Sequence, residues 1–118
     1  MATITDLMTA HLLEVFAERD PERRRAAIAR GYHEDVEFAD PEGTVVGRDA
    51  LHAKAQGILD GAPDFVFAPA GPAYAVGDLG YLTWQFGPEG APPVVRGVDM
   101  ALVRDGRIAK AYTLLLQG

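Results

Sequence analysis

The 118-residue chain contains no cysteine. That excludes a disulfide framework, a thiolate nucleophile and a zinc–thiolate site. Positive charge is also scarce: 11 Lys and Arg stand against 17 Asp and Glu, for a net charge of −6. Nucleic acid and anionic membranes need a positive footprint and are poor partners for such a surface. The one basic cluster, Arg23-Arg24-Arg25, follows Asp20-Pro21-Glu22 in a helical stretch and reads as a solvated helix face. No run approaches the ~20 apolar residues needed to span a bilayer, and the start has no basic segment followed by an apolar one. A soluble, cytoplasmic protein is expected. His11, His33 and His52 show neither HxH nor HxxxH spacing, so no metal is expected. No Gly-rich phosphate loop and no Gly-x-Ser-x-Gly occur, so the expected cofactor is none.

What is present is one domain's worth of ordinary globular sequence, 48% apolar and 24% charged, assigned to residues 1–118. A chain of this size buries about two-thirds of its unfolded surface, so a ligand cavity inside it costs stability that dimerisation could offset. Leu7, Met8, His11, Leu12, Val15 and Phe16 recur at helical spacing. Asp20-Pro21 starts a second helix, with Asp20 as its cap, that stops at Gly31, read as a left-handed cap. A short strand over 35–41 ends at Pro41, a second covers Thr44-Val45-Val46, and a third helix follows from about Arg48 to Leu59. From Asp64 the pattern turns to period two, with strands near 64–76, 79–87, 93–104 and 107–116. Asp105-Gly106 between the last two favours a primed two-residue hairpin turn. Helices followed by an antiparallel meander indicate an α+β fold. The later strands are apolar on both faces, and an antiparallel sheet with helices on one side only should be polar on the other. A homodimer through the outer sheet face is therefore expected.

Three residues stand out for chemistry. Asp40 ends the first strand beside Pro41. Asp99 lies in the middle of the apolar run Val94–Val103 and shares a face with Gly97 and Ala101. Buried there, it would serve as a neutral hydrogen-bond donor. Tyr32 follows the second helix. Each also has a structural reading: Asp40 as the cap of its own turn, Asp99 as an ion-pair partner of Arg96 or another basic group, Tyr32 as a packing aromatic.

The segment Tyr32-His33-Glu34-Asp35-Val36-Glu37-Phe38-Ala39-Asp40-Pro41-Glu42-Gly43, with Gly47-Arg48-Asp49-Ala50-Leu51, Gly97-Val98-Asp99 and Asp105-Gly106-Arg107-Ile108, resembles the nuclear-transport-factor-2-like superfamily. Within it, the ketosteroid-isomerase-like and SnoaL-like group is the nearest in pattern. The resemblance covers nearly the whole chain. It implies a cone-shaped, curved antiparallel sheet wrapped around three N-terminal helices, with an internal pocket. By the same resemblance Asp40 falls on the general base and Asp99 on a protonated oxyanion-hole donor, chemistry already described for ketosteroid isomerase. Tyr32 falls on a supporting tyrosine of some isomerases. The family's oxyanion-hole tyrosine falls on Phe16, which cannot donate a hydrogen bond, and a further tyrosine, near Ala55 to Gly57, is absent.

The expected function is acid/base chemistry at a carbon next to a carbonyl (isomerisation, cyclisation or dehydration) on an apolar polycyclic or aromatic substrate. Phe16, Phe38, Trp84, Phe86, Thr113 and Leu115 would line its pocket. Epoxide hydrolysis ranks last, because Arg96 and Asp99 do not share a strand face. The alternatives are a non-catalytic dimeric module that binds a small apolar ligand, and an accessory domain with a vestigial pocket.

Overall fold

The computed structural model describes residues 2–116. Helix α1 (Ile4–Ala10) runs straight into a π-helical segment (His11–Phe16), followed by α2 (Pro21–Gly31), β1 (Tyr32–Asp40), β2 (Gly43–Val46) and α3 (Arg48–Asp60). Strands β3 (Phe65–Pro69), β4 (Tyr74–Val76), β5 (Leu79–Pro88), β6 (Val95–Arg104) and β7 (Arg107–Leu116) complete the chain. The α+β architecture is as the sequence indicates.

Local chemistry sets the helix ends. Thr3 and Asp6 form a reciprocal capping box at the start of α1, each side chain accepting the other's backbone N–H at 3.1 Å. Those bonds hold the Asp6 carboxyl below its ordinary value. Pro21 begins α2 with its ring pre-set for the first turn, while Asp20 at the cap position makes no side-chain capping bond. Gly31 is not a left-handed cap. The chain passes from α2 directly into extended Tyr32, and Gly31 lies close under Leu7, with 3.8 Å from a would-be Cβ to the nearest leucine carbon.

The strands form one curved sheet in the order β2-β1-β7-β6-β5-β3, with β4 also paired to β5. All neighbours are antiparallel except β1 and β7, which run parallel. The sheet is therefore mixed and departs from a purely antiparallel meander at this pair. Strand β1 begins at Tyr32, three residues earlier than the alternation around Val36 suggests, and so includes His33. The expected strand over 64–76 is two pieces, because the chain leaves the ladder at Ala70–Ala73, where Gly71-Pro72 cannot continue it. Asp105 and Gly106 both have positive φ, 53° and 76°, which is the primed hairpin turn expected at that joint.

The core fills the concave side of the sheet. Met8, Leu12 and Val15 from the first helix pack with Leu51 and Ala55 of α3 and with Phe38, Leu82, Trp84, Ala101 and Ala111 of the sheet. Arg24, expected on a solvated face, is instead fully buried. Only Arg23 and Arg25 of that triplet are exposed, in ion pairs with Glu18 and Asp49. The Arg24 guanidinium donates to the carbonyls of Val15 and Glu18 and to Gln56 Oε1. It thus satisfies carbonyls released at the end of the π-helical segment.

Candidate active site

The alternation of β5 and β6 decides what faces the concave side. Leu82, Trp84 and Phe86 alternate inward along β5, and Gly97, Asp99 and Ala101 alternate inward along β6. Together with the π-helical segment, β1, α3 and β7 they enclose a cavity of about 290 Å³. Its walls are Leu12, Phe16, Phe38, Ile58, Phe67, Trp84, Phe86, Val95 and Leu115, and its polar groups are Asp40, Glu42, Asp99 and Thr113. The structure thus places Phe16, Phe38, Trp84, Phe86, Thr113 and Leu115 in the wall of one cavity, and brings Asp40 and Asp99 to the same space.

Asp99 is 3% exposed. Its Oδ1 accepts the Trp84 indole N–H at 2.9 Å and the Thr113 hydroxyl at 2.6 Å, and its Oδ2 lies 3.4 Å from Nε2 of His11. Arg96 is not among its partners. Gly97 makes the Trp84 contact possible: a Cβ there would stand 2.2 Å from the indole ring, so only glycine lets the ring lie across β6 with its N–H at the carboxylate.

Asp40 combines the turn-capping reading with a second role. Its Oδ1 accepts the Glu42 backbone N–H at 2.9 Å, and its Oδ2 is 3.0 Å from the Lys54 ammonium on α3. Lys54 also reaches Glu42 Oε1 at 2.9 Å. The Glu42 bond, and behind it that to Asp40, holds the Lys54 ammonium above its ordinary value against the opposing effect of burial. A fixed positive charge thus sits beside Asp40 at the cavity's edge.

Tyr32 does not line the cavity. It is 2% exposed, and its hydroxyl meets Nδ1 of His11. Burial pushes its phenol well above the usual value, with the negative charges of Asp99 and Glu14 adding. Sequence reasoning missed His11 and Lys54. The signal for His11 was its place on the apolar stripe of the first helix, where a polar ring must find partners in the core. Lys54 carried no signal, since a lysine in an exposed-looking helix is ordinary. Among the described residues no cluster of His, Cys, Asp or Glu has the arrangement of a metal site, and no helix is long and apolar enough to cross a membrane.

The sequence pattern of the family described as SnoaL-like domain matches residues 9–111. No curated protein sequence matches the chain. Among solved structures, one from Agrobacterium tumefaciens, suggested to be an isomerase of the SnoaL-like family, superimposes with a TM-score of 0.86 at 22% identity over 94% of this chain and 95% of that one. A suggested SnoaL-like polyketide cyclase from Jannaschia sp. CCS1 gives 0.78 at 13% identity, over 95% and 84%. A suggested ketosteroid isomerase from Kribbella flavida gives 0.71 at 17%, over 98% and 78%. At these identities the likeness is one of fold.

Proposed function

This chain belongs to the SnoaL-like domain family, and we propose that its cavity carries out acid/base chemistry at a carbon next to a carbonyl, by isomerisation, cyclisation or dehydration of a compact apolar ligand. The observation that carries this reading is that Asp40 and Asp99 border one cavity whose walls are mostly apolar. Proton removal beside a carbonyl needs a base near the carbon and a group to exchange a proton with the enolate oxygen. A cavity of about 290 Å³ lies at the small end of ligand pockets, which run about 300–1,000 Å³, and its aromatic walls suit a flat ring system. Lys54 beside Asp40 supplies positive charge where negative charge would develop.

A second reading, a non-catalytic binding module, is favoured by Phe16, which offers no hydroxyl to an oxyanion, and by Asp40, whose two oxygens are both engaged. Turnover separates the two. With a panel of one- and two-ring ketones bearing an α-proton, the enzymatic reading expects Asp40→Asn and Asp99→Asn to keep ligand affinity within a few-fold. Each should lower turnover by on the order of 10²–10⁴. Binding without turnover in the unsubstituted protein would establish the module instead.

On either reading the chain works as a homodimer joined through its outer sheet face. Tyr112, Leu114 and Leu116 of β7 and Leu102 of β6 stand on that face, between 40% and 54% exposed, and such a patch on a small domain favours a covering partner.

A further inference from the structure

Three groups stand in line behind the floor of the cavity. Asp99 faces it, His11 lies behind Asp99, and Tyr32 lies behind His11. His11 and Tyr32 are 1% and 2% exposed, so the protons in this line are withdrawn from bulk water and each needs a hydrogen-bond partner. The indole N–H of Trp84 can only donate, and with the Thr113 hydroxyl it fills Oδ1 of Asp99. Any proton shared between Asp99 and His11 therefore lies between Oδ2 and Nε2.

Which of those two atoms holds the proton is decided at the other side of the ring. The Tyr32 hydroxyl has His11 Nδ1 as its one hydrogen-bond partner among the described residues. If Nδ1 carried the ring proton, the hydroxyl would have to accept it, and the hydroxyl's own proton would be buried with no acceptor. If the hydroxyl donates instead, that proton is satisfied, Nδ1 is the acceptor, and the neutral ring carries its proton on Nε2. Among the described residues, Nε2 is the one buried side-chain nitrogen or oxygen without a partner in hydrogen-bond geometry, and Asp99 Oδ2, an acceptor, lies 3.4 Å from it. The charged groups lining the pocket beyond this line are Asp6 and Glu14 of the first helical stretch, Arg30 of α2 and Arg107 of β7; Glu14 and Arg30 pair with each other at 2.9 Å, and none of the four makes a hydrogen bond to the His11 ring.

We propose that Tyr32 fixes the proton of His11 on Nε2, and that His11 thereby acts as a positioning residue that holds Asp99 as the ionised proton acceptor of the cavity, not as a neutral donor. With Asp99 as the base, the Lys54 ammonium held beside Asp40 at the cavity's edge is the positive charge nearest to hand for a developing oxyanion, and Asp40 positions that ammonium in place of the base role that resemblance to ketosteroid isomerase assigns to it. The roles rest on the enzymatic reading above; the position of the proton does not.

Long-range ¹H–¹⁵N correlation of the full-length labelled protein at pH 7 reads the two His11 ring nitrogens separately, and the ¹³C shift of the Asp99 side-chain carbon reads its ionisation. The expected result is a bare Nδ1, a protonated Nε2 and a carboxylate at Asp99. A protonated Nδ1, with Nε2 either bare or also protonated, would overturn the assignment. Two variants distinguish positioning from packing: His11→Gln keeps an N–H donor and His11→Leu removes it. The Asp99 carboxyl should titrate at higher pH in His11→Leu than in the parent, with His11→Gln between them. An unchanged titration in His11→Leu would reduce His11 to a packing residue, and if that variant fails to fold, the ring shifts of the parent decide alone. The expected shifts in a protein that turns over no ketone would sustain this inference and remove the enzymatic reading.

Discussion

Gly97 shapes the site without lining the cavity. Because a Cβ at this position would stand 2.2 Å from the Trp84 ring, Gly97→Ala must push the indole off β6 and away from Asp99. The expected cost is about 1–3 kcal/mol, the range of overpacking in a filled core. Denaturant unfolding should show that loss, and the indole N–H resonance of Trp84 should shift as its bond to Asp99 breaks. At this scale the sequence was legible where a residue type contradicts its surroundings. An aspartate in the middle of an apolar strand reveals Asp99, and an aspartate before proline reveals the end of β1 at Asp40. It was not legible where the partner comes from a distant element. Nothing within the first helix says that His11 meets Asp99, 88 positions later in the chain, and nothing in Arg23-Arg24-Arg25 says which arginine turns inward.

Among the elements, the π-helical segment is where the site is made. Its wider turn, closed by a 2.8 Å bond from the Ala17 N–H to the Leu12 carbonyl, places His11 behind Asp99 and Phe16 in the cavity wall. Insertions of this kind recur at functional sites. Periodicity detects an apolar stripe but not a change from four- to five-residue hydrogen bonding, so this feature lay outside what the pattern could report. Arg24 secures the end of the segment. Arg24→Leu would keep the volume yet leave the Val15 and Glu18 carbonyls without their donor, at an expected cost of roughly 3 kcal/mol by urea unfolding. Arg24 also stands 3.4 Å from His52. Burial, with Arg25 and Arg24 adding, lowers the His52 imidazole below its ordinary 6.5. The unfolded chain then binds that proton first, so the stabilising term is present above pH 6.5 and is lost as pH falls from there through the lower, folded-state value. Unfolding free energies measured across that window should fall more steeply with acid for the parent than for His52→Gln.

For the whole molecule, element order was enough to give the α+β class and the sheet-over-helices arrangement, because a switch from helical to period-two spacing near residue 64 survives any error at the boundaries. The parallel pairing of β1 with β7 was hidden, since it joins segments about 70 residues apart and leaves no local mark. The proposed dimer belongs to this scale. Leu114→Glu places a charge in the centre of the exposed face and should convert a dimer to a monomer in sedimentation equilibrium; a parent protein that sediments as a monomer would remove the proposal.

Whether the cavity moves protons at a carbon next to a carbonyl can be tested without knowing the natural substrate. A small cyclic ketone that binds the cavity is incubated with the protein in deuterated buffer, and loss of its α-proton signals is followed by NMR. Exchange well above the buffer rate is expected, reduced by on the order of 10²–10⁴ in Asp99→Asn at saturating ketone. Exchange at the buffer rate while the ketone is demonstrably bound would contradict the proposed chemistry.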